Sequence, residues 1–190
     1  MKSLKELYRI GQGPSSSHTM GPRTAAEKFL SRHPFAAKFR VTLYGSLAAT
    51  GKGHLTDWAI NQVLGEERTE IVWCPEIVLP YHPNGMKFEV VDADGATLEE
   101  PWIVFSVGGG ALVVEGEEKD ETPDIYELDH LYDIMNWCET RGRSYWEYVD
   151  YCEESDIWDY LSEVWKVMQE AVERGPVSYT HLRAHETGAY

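Results

Sequence analysis

The sequence predicts an α+β fold: a mixed sheet of four or five strands with helices on one face, then a helical C-terminal segment. Three observations carry this. Between Phe39 and Gly116, short apolar runs rich in Val, Ile, Phe and Trp alternate with glycine-bearing turns, as strands do. Two stretches with helical character, 18–32 and 57–64, interrupt or precede those runs. Beyond Thr122 the strand signals end, and Ile157, Leu161, Val164, Trp165, Met168 and Val172 repeat at helical spacing.

Each element has its own signal. A helix is expected from His18 to Arg32, with Ala25, Ala26, Phe29 and Leu30 as its apolar face and Pro22 in its first turn. Phe39 to Leu47 reads as a strand, and Asp57 to Leu64 as a helix closed by Gly65. Glu70 to Cys74, Lys87 to Asp92 and Trp102 to Val107 read as strands, with Asp94-Gly95 turning the chain between two of them. Gly108, Gly109 and Gly110 break the last run from Ala111 to Gly116, in the manner of a bulge or a close backbone approach, a structural reading favoured over a binding role. Helices are then expected over Tyr126–Glu139, over Ser144–Glu153 with Ser144 as cap, and over Ser155–Arg174 with Gly175 as its stop. The apolar stripe of the last helix reads as core or docking surface rather than as a cofactor box.

Composition narrows the function classes. The net charge is −15, and hydrophobic residues make up 43% of the chain, enough for an ordinary core. Residues 1–110 carry 11 basic and 12 acidic side chains, whereas residues 111–175 carry 5 and 19. The acidic excess reads as a solvated face, and it disfavours nucleic acid, whose phosphates need the opposite sign. There is no long apolar run for a membrane span and no signal-peptide pattern, so a cytoplasmic protein is expected.

Two motifs carry chemistry. In the run from Gly11 to Thr24, Ser15, Ser16, Ser17, His18 and Thr19 cluster where a loop becomes a helix. Helix starts expose unpaired N–H groups and favour anions, so hydroxyls and an imidazole there suit a small carboxylate. An N-cap alone would need one hydroxyl. The second run, Leu43 to Asp57, places a glycine-rich turn between strand and helix. It is not a P-loop: five residues separate Gly45 from Gly51-Lys52 where that motif has four, and Gly53 stands where Ser or Thr would hold magnesium. What remains is His54, a base candidate beside Lys52 and Asp57.

Together the runs Gly13–Pro22, Tyr44-Gly-Ser-Leu-Ala, Thr50–Asp57 and His82-Pro-Asn-Gly-Met86 resemble the N-terminal (beta) domain of iron–sulfur L-serine dehydratases, over about Ser3 to Gly175. The resemblance implies conversion of L-serine to pyruvate and ammonia. It implies a 4Fe-4S cluster whose cysteine ligands lie in a separate alpha domain or subunit, here missing, so that this fragment alone is inactive. It implies that Ser16, Ser17, His18, Thr19, Ser46 and Asn84 bind substrate and that His54 removes a proton. Asn84 also suits a plain Asn-Gly turn. A homo-oligomer is expected of the intact enzyme. The family is also similar to a regulatory serine-site domain of some phosphoglycerate dehydrogenases, and a non-catalytic amino-acid-binding module is therefore the alternative.

Residues 1–175 are expected to form the domain, with 113–175 its acidic, mostly helical part. Residues 176–190 depart from the family, and Val177 to Thr187 resembles translated sequencing-adapter DNA, so the His181/His185 pair is not taken as a metal site. Cys74, Cys138 and Cys152 lie 64 and 14 residues apart with no Cys-x-x-Cys spacing. Cys138 and Cys152 fall among aromatics in expected helices and read as small hydrophobes rather than cluster ligands; no bound metal is expected on this chain.

Overall fold

The computed structural model describes residues 1–117 and 123–186, with side chains as far as Gly175. The chain divides into two compact units, residues 11–120 and residues 1–10 with 121–190. Helix α1 (Leu4–Leu7) opens the chain and belongs to the second unit.

The first unit begins with a π-helical turn, Ser16–Met20, that runs straight into α2 (Gly21–Arg32). Then follow β1 (Lys38–Tyr44), α3 (Gly45–Thr50), α4 (Thr56–Leu64), β2 (Thr69–Cys74), β3 (Gly85–Val91), β4 (Trp102–Gly108) and β5 (Ala111–Val114). The strands form one mixed sheet in the order β2-β1-β3-β4-β5. β1 and β2 are parallel, joined by the crossover through α3 and α4, and the other neighbours are antiparallel.

Strand alternation sets the core. Phe39, Val41 and Leu43 of β1, Met86 and Phe88 of β3 and Val104 of β4 point to one face, where they meet Ala25, Ala26 and Phe29 of α2 and Ile60 and Leu64 of α4. Phe29 is the hub, its ring 5.9 Å from Phe39, 5.3 Å from Phe88 and 6.0 Å from Trp102. The α+β class, the five strands and the helices against one face follow the expectation. The expected strand over Phe39–Leu47 is cut short: it ends at Tyr44, because Gly45 takes φ +48 and turns the chain into α3. A Cβ at Gly45 would lie 2.6 Å from the Pro83 carbonyl oxygen, so the turn depends on glycine.

In the second unit, α5 (Leu131–Arg141), α6 (Tyr145–Cys152) and α7 (Ile157–Glu186) are joined by short turns. Tyr126, expected to open a helix, instead precedes α5 and is buried with Cys138 and Tyr148. Ser144 caps α6 through a reciprocal capping box with Glu147. Glu153 accepts from Ser3 Oγ at 2.6 Å, Leu4 N at 2.7 Å and Tyr126 Oη at 2.6 Å, which ties the N-terminal segment to the end of α6. The apolar stripe of α7 is split: Ile157 and Val164 are buried, while Trp165 and Val172 are 60% and 72% exposed. Gly175 does not stop α7, since it keeps a helical conformation and the helix continues to Glu186. Thr122, where the helical segment was expected to begin, lies outside the described residues, as do the side chains of His181 and His185. Among the described residues no helix is long and apolar enough to cross a membrane.

Candidate functional site

The sheet topology brings the chemical motifs to one edge. The C-terminal end of β1 leads through Gly45 to Ser46. Because β3 is antiparallel to β1 and β4 to β3, the start of β3 and the end of β4 lie at that same edge: Leu43 faces Met86, and Gly85 faces Phe105. The segment before β3 therefore stands beside Ser46, whose N–H donates to the Pro83 carbonyl at 3.0 Å, and Ser106 stands beside Asn84, donating its N–H to the Asn84 carbonyl at 3.0 Å. Open sheets often hold ligands at strand ends of this kind.

The serine-rich turn sits over this edge. Ser15 caps it: its hydroxyl accepts from His18 N at 3.2 Å, and its carbonyl accepts from Thr19 N and Met20 N. Ser16 is exposed. Ser17 Oγ lies 2.9 Å from His18 Nδ1, and His18 Nε2 lies 3.2 Å from Ser46 Oγ. The imidazole thus joins two hydroxyls, and in its neutral form one ring nitrogen donates while the other accepts. Burial disfavours the charged ring, and neighbouring His54 adds to this, so His18 titrates below the ordinary histidine range despite an opposing contact to Ser46.

His54 stands in the turn between α3 and α4, its ring centroid 4.9 Å from that of His18. Its Nδ1 is 3.0 Å from the Thr50 carbonyl oxygen. A carbonyl only accepts, so Nδ1 carries the hydrogen and the lone pair of the neutral ring lies on Nε2. No described residue bonds that nitrogen. In that tautomer Nε2 is the acceptor of the ring.

Two buried threonines lock these segments together. Thr19 Oγ1 donates to the His54 carbonyl at 2.7 Å, and Thr56 Oγ1 donates to the His18 carbonyl at 2.5 Å. Thr19 was expected to touch substrate, but it is fully enclosed and its hydroxyl is committed to the protein. Asn84 is 8% exposed, its Nδ2 donating to the Ser106 carbonyl at 3.2 Å and its N–H to His82 Nδ1. Asn84 Oδ1 and Ser106 Oγ are buried and lack a partner among the described residues.

The site thus links Ser17, His18, Ser46 and His54 through the His18 ring, and Asn84 follows Pro83, whose carbonyl accepts from Ser46 N. Thr56 and Ser106 were not singled out by the sequence. Thr56 belongs to the Gly-His-Leu-Thr run, whereas Ser106 has no signal beyond preceding the glycine triplet.

The geometry can be set beside known proteins. The model of the serine dehydratase beta chain family matches residues 3–70 and 61–117. The chain belongs to this family. Its relatives include the L-serine dehydratase of Streptomyces coelicolor, 31% identical, and the L-serine dehydratase TdcG of Escherichia coli, 29% identical. These matches cover 91% and 92% of the chain and 49% of each relative. The L-serine dehydratase of Mycobacterium bovis is 37% identical over 60% of the chain and 33% of its own length. The chain thus spans about half the length of the first two relatives.

The described residues offer no site that fits an iron–sulfur cluster. Among the described residues no three His, Cys, Asp or Glu side chains converge. Cys138 packs in the aromatic cluster of the helical unit, Cys74 ends β2, and burial pushes the Cys152 thiol up.

Proposed function

We propose that this chain is the substrate-binding beta portion of an L-serine dehydratase, which eliminates water from L-serine and releases pyruvate and ammonia. His54 is the base for the Cα proton, received on Nε2. Ser16, Ser17, His18 and Ser46 line the substrate side, and Asn84 lies beneath it. The observation that carries this reading is the His54 geometry: Nδ1 held by the Thr50 carbonyl, Nε2 without a partner among the described residues, and the ring against His18. The names of the relatives supply the substrate.

Loss of the Cα proton and of the β-hydroxyl turns serine into aminoacrylate and water. Its imine tautomer hydrolyses to pyruvate and ammonia, so the sequence balances without an oxidant. The 4Fe-4S cluster belongs to residues outside this chain, on an alpha domain or subunit, and the holoenzyme is a cytoplasmic homo-oligomer. Residues 1–175 are the family domain. Residues 176–190 are adapter-derived, and sequencing the source DNA across codon 175 tests that assignment.

The decisive experiment is His54→Ala in the enzyme completed by its cluster-bearing part. Turnover falls about 10²–10⁴-fold while KM for serine changes little, because base loss acts on the transition state. A variant that raises only KM would make His54 a binding residue and overturn the assignment. Turnover by the 190-residue chain alone, after anaerobic cluster reconstitution, would overturn the placement of the cluster.

A further inference from the structure

We propose that Thr19 and Thr56 are positioning residues: a reciprocal hydroxyl-to-carbonyl clasp that sets the spacing of His18 and His54. Each threonine follows one histidine closely in sequence and bonds the backbone of the other. Thr19, next to His18, donates to the His54 carbonyl at 2.7 Å; Thr56, two residues after His54, donates to the His18 carbonyl at 2.5 Å. Both threonines are fully buried, so neither hydrogen bond competes with bulk water. Two crossed bonds hold two chain segments in register where one would leave a pivot.

The backbone between them supports this assignment. Leu55 has φ +58 and ψ +35, a left-handed conformation that costs a side-chain-bearing residue about 1 kcal/mol or more. Leu55 is 45% exposed, so burial of its side chain does not impose that conformation. Its neighbours do. The His54 carbonyl is bonded by Thr19, and Thr56 is held through its hydroxyl to His18 and through its N–H to the Gly51 carbonyl at 2.9 Å. Such conformations persist where flanking contacts over-determine them. The clasp also accounts for the contact between the two rings. Among the described residues His54 is the titratable group acting on His18, and it acts because the rings are held 4.9 Å apart. With the rings so close, a charge on either imidazole disfavours a charge on the other.

The catalytic meaning of the clasp rests on His54 being the base, but the clasp itself is tested without turnover. The histidine Cε1–H signals of the 190-residue chain are followed through a pH titration by NMR, with His18 and His54 assigned by single substitution. In Thr56→Val, the His18 midpoint moves up towards the ordinary histidine range and its titration no longer depends on His54; Thr56→Ser restores the parent curve. Thr19→Val acts in the same direction through the other strap. A variant that melts earlier yet leaves the His18 curve unchanged would reduce the threonines to ordinary core hydrogen bonds and overturn the proposal. Should the valine variants fail to fold, the unaltered chain still decides: the two buried hydroxyl protons exchange slowly and show cross-relaxation to the segments of the opposite histidines. Fast-exchanging hydroxyls overturn the clasp. The His54→Ala kinetics above can fail while this titration succeeds, and the reverse.

Discussion

Gly21→Ala tests how the sheet carries the serine-rich turn. Gly21 is the first residue of α2, and its Cα faces Ser106 on β4. A Cβ built there would overlap Ser106 Oγ and lie 2.9 Å from Ser106 Cβ. Rotating the serine relieves the first overlap but not the second, because both Cβ atoms are fixed by backbone. Overpacking of this kind costs about 1–3 kcal/mol, and the pair of fixed atoms puts it near the top of that range. The helix-forming advantage of alanine returns up to about 1 kcal/mol. The net expectation is a loss of about 2 kcal/mol, or roughly 10 °C in Tm for a unit of this size. Urea unfolding of four proteins gives the answer: parent, Gly21→Ala, Ser106→Gly and the double variant. Ser106→Gly alone costs about 0.5–1 kcal/mol in backbone freedom. In the double variant the clash is gone, so the two changes fall short of additivity by more than about 1 kcal/mol. A Gly21→Ala protein as stable as the parent, or strict additivity, would refute the claim that α2 is pressed onto β4 at this point. It would also remove the reason for the turn bearing His18 to sit where it does.

Two predictions concern the helical unit. Burial pushes the Glu153 carboxyl up, but the hydrogen bonds from Ser3, Tyr126 and Leu4 outweigh it and hold the group below its ordinary range. Folding then favours the carboxylate, so its stabilisation is complete above about pH 4.5 and fades as pH falls through the folded-state value. Glu153→Gln lowers stability at pH 7 by about 1.5 kcal/mol and flattens the acid limb of the unfolding curve; a parallel shift at every pH would contradict the linkage. Glu147, bonded by the Ser144 N–H, by Arg143 and by the Ser144 hydroxyl, is pulled down to about 2. In Ser144→Ala its carboxyl carbon titrates at higher pH by NMR, and an unchanged midpoint would mean that the capping box does not persist in solution.

The sequence disclosed what period and punctuation encode, and hid what tertiary contact decides. Phe39, Val41 and Leu43 alternate, and Ala25, Ala26 and Phe29 recur at helical spacing, so sheet and cover were legible. Leu47 and Ala48 extended an apolar run that serves strand or helix equally; only the positive φ of Gly45 settles it, and glycine permits that conformation without requiring it. Likewise Gly175 permits a helix stop but does not impose one. The motifs of the site were legible as clusters of residue types, yet not the division of labour within them. Ser17 and Thr19 are both short hydroxyl residues in one turn. The wide π-helical turn directs Ser17 to the His18 ring and Thr19 inward to the His54 carbonyl. Which hydroxyl meets the His18 ring and which serves backbone depends on a partner 35 residues away along the chain, a relation no local pattern records. Thr56 shows the same logic from the other side: it opens α4, and its hydroxyl is spent on the His18 carbonyl. Because these bonds are long-range, the sequence can bring the two polar runs together as motifs, but only the fold shows which hydroxyl bonds which backbone.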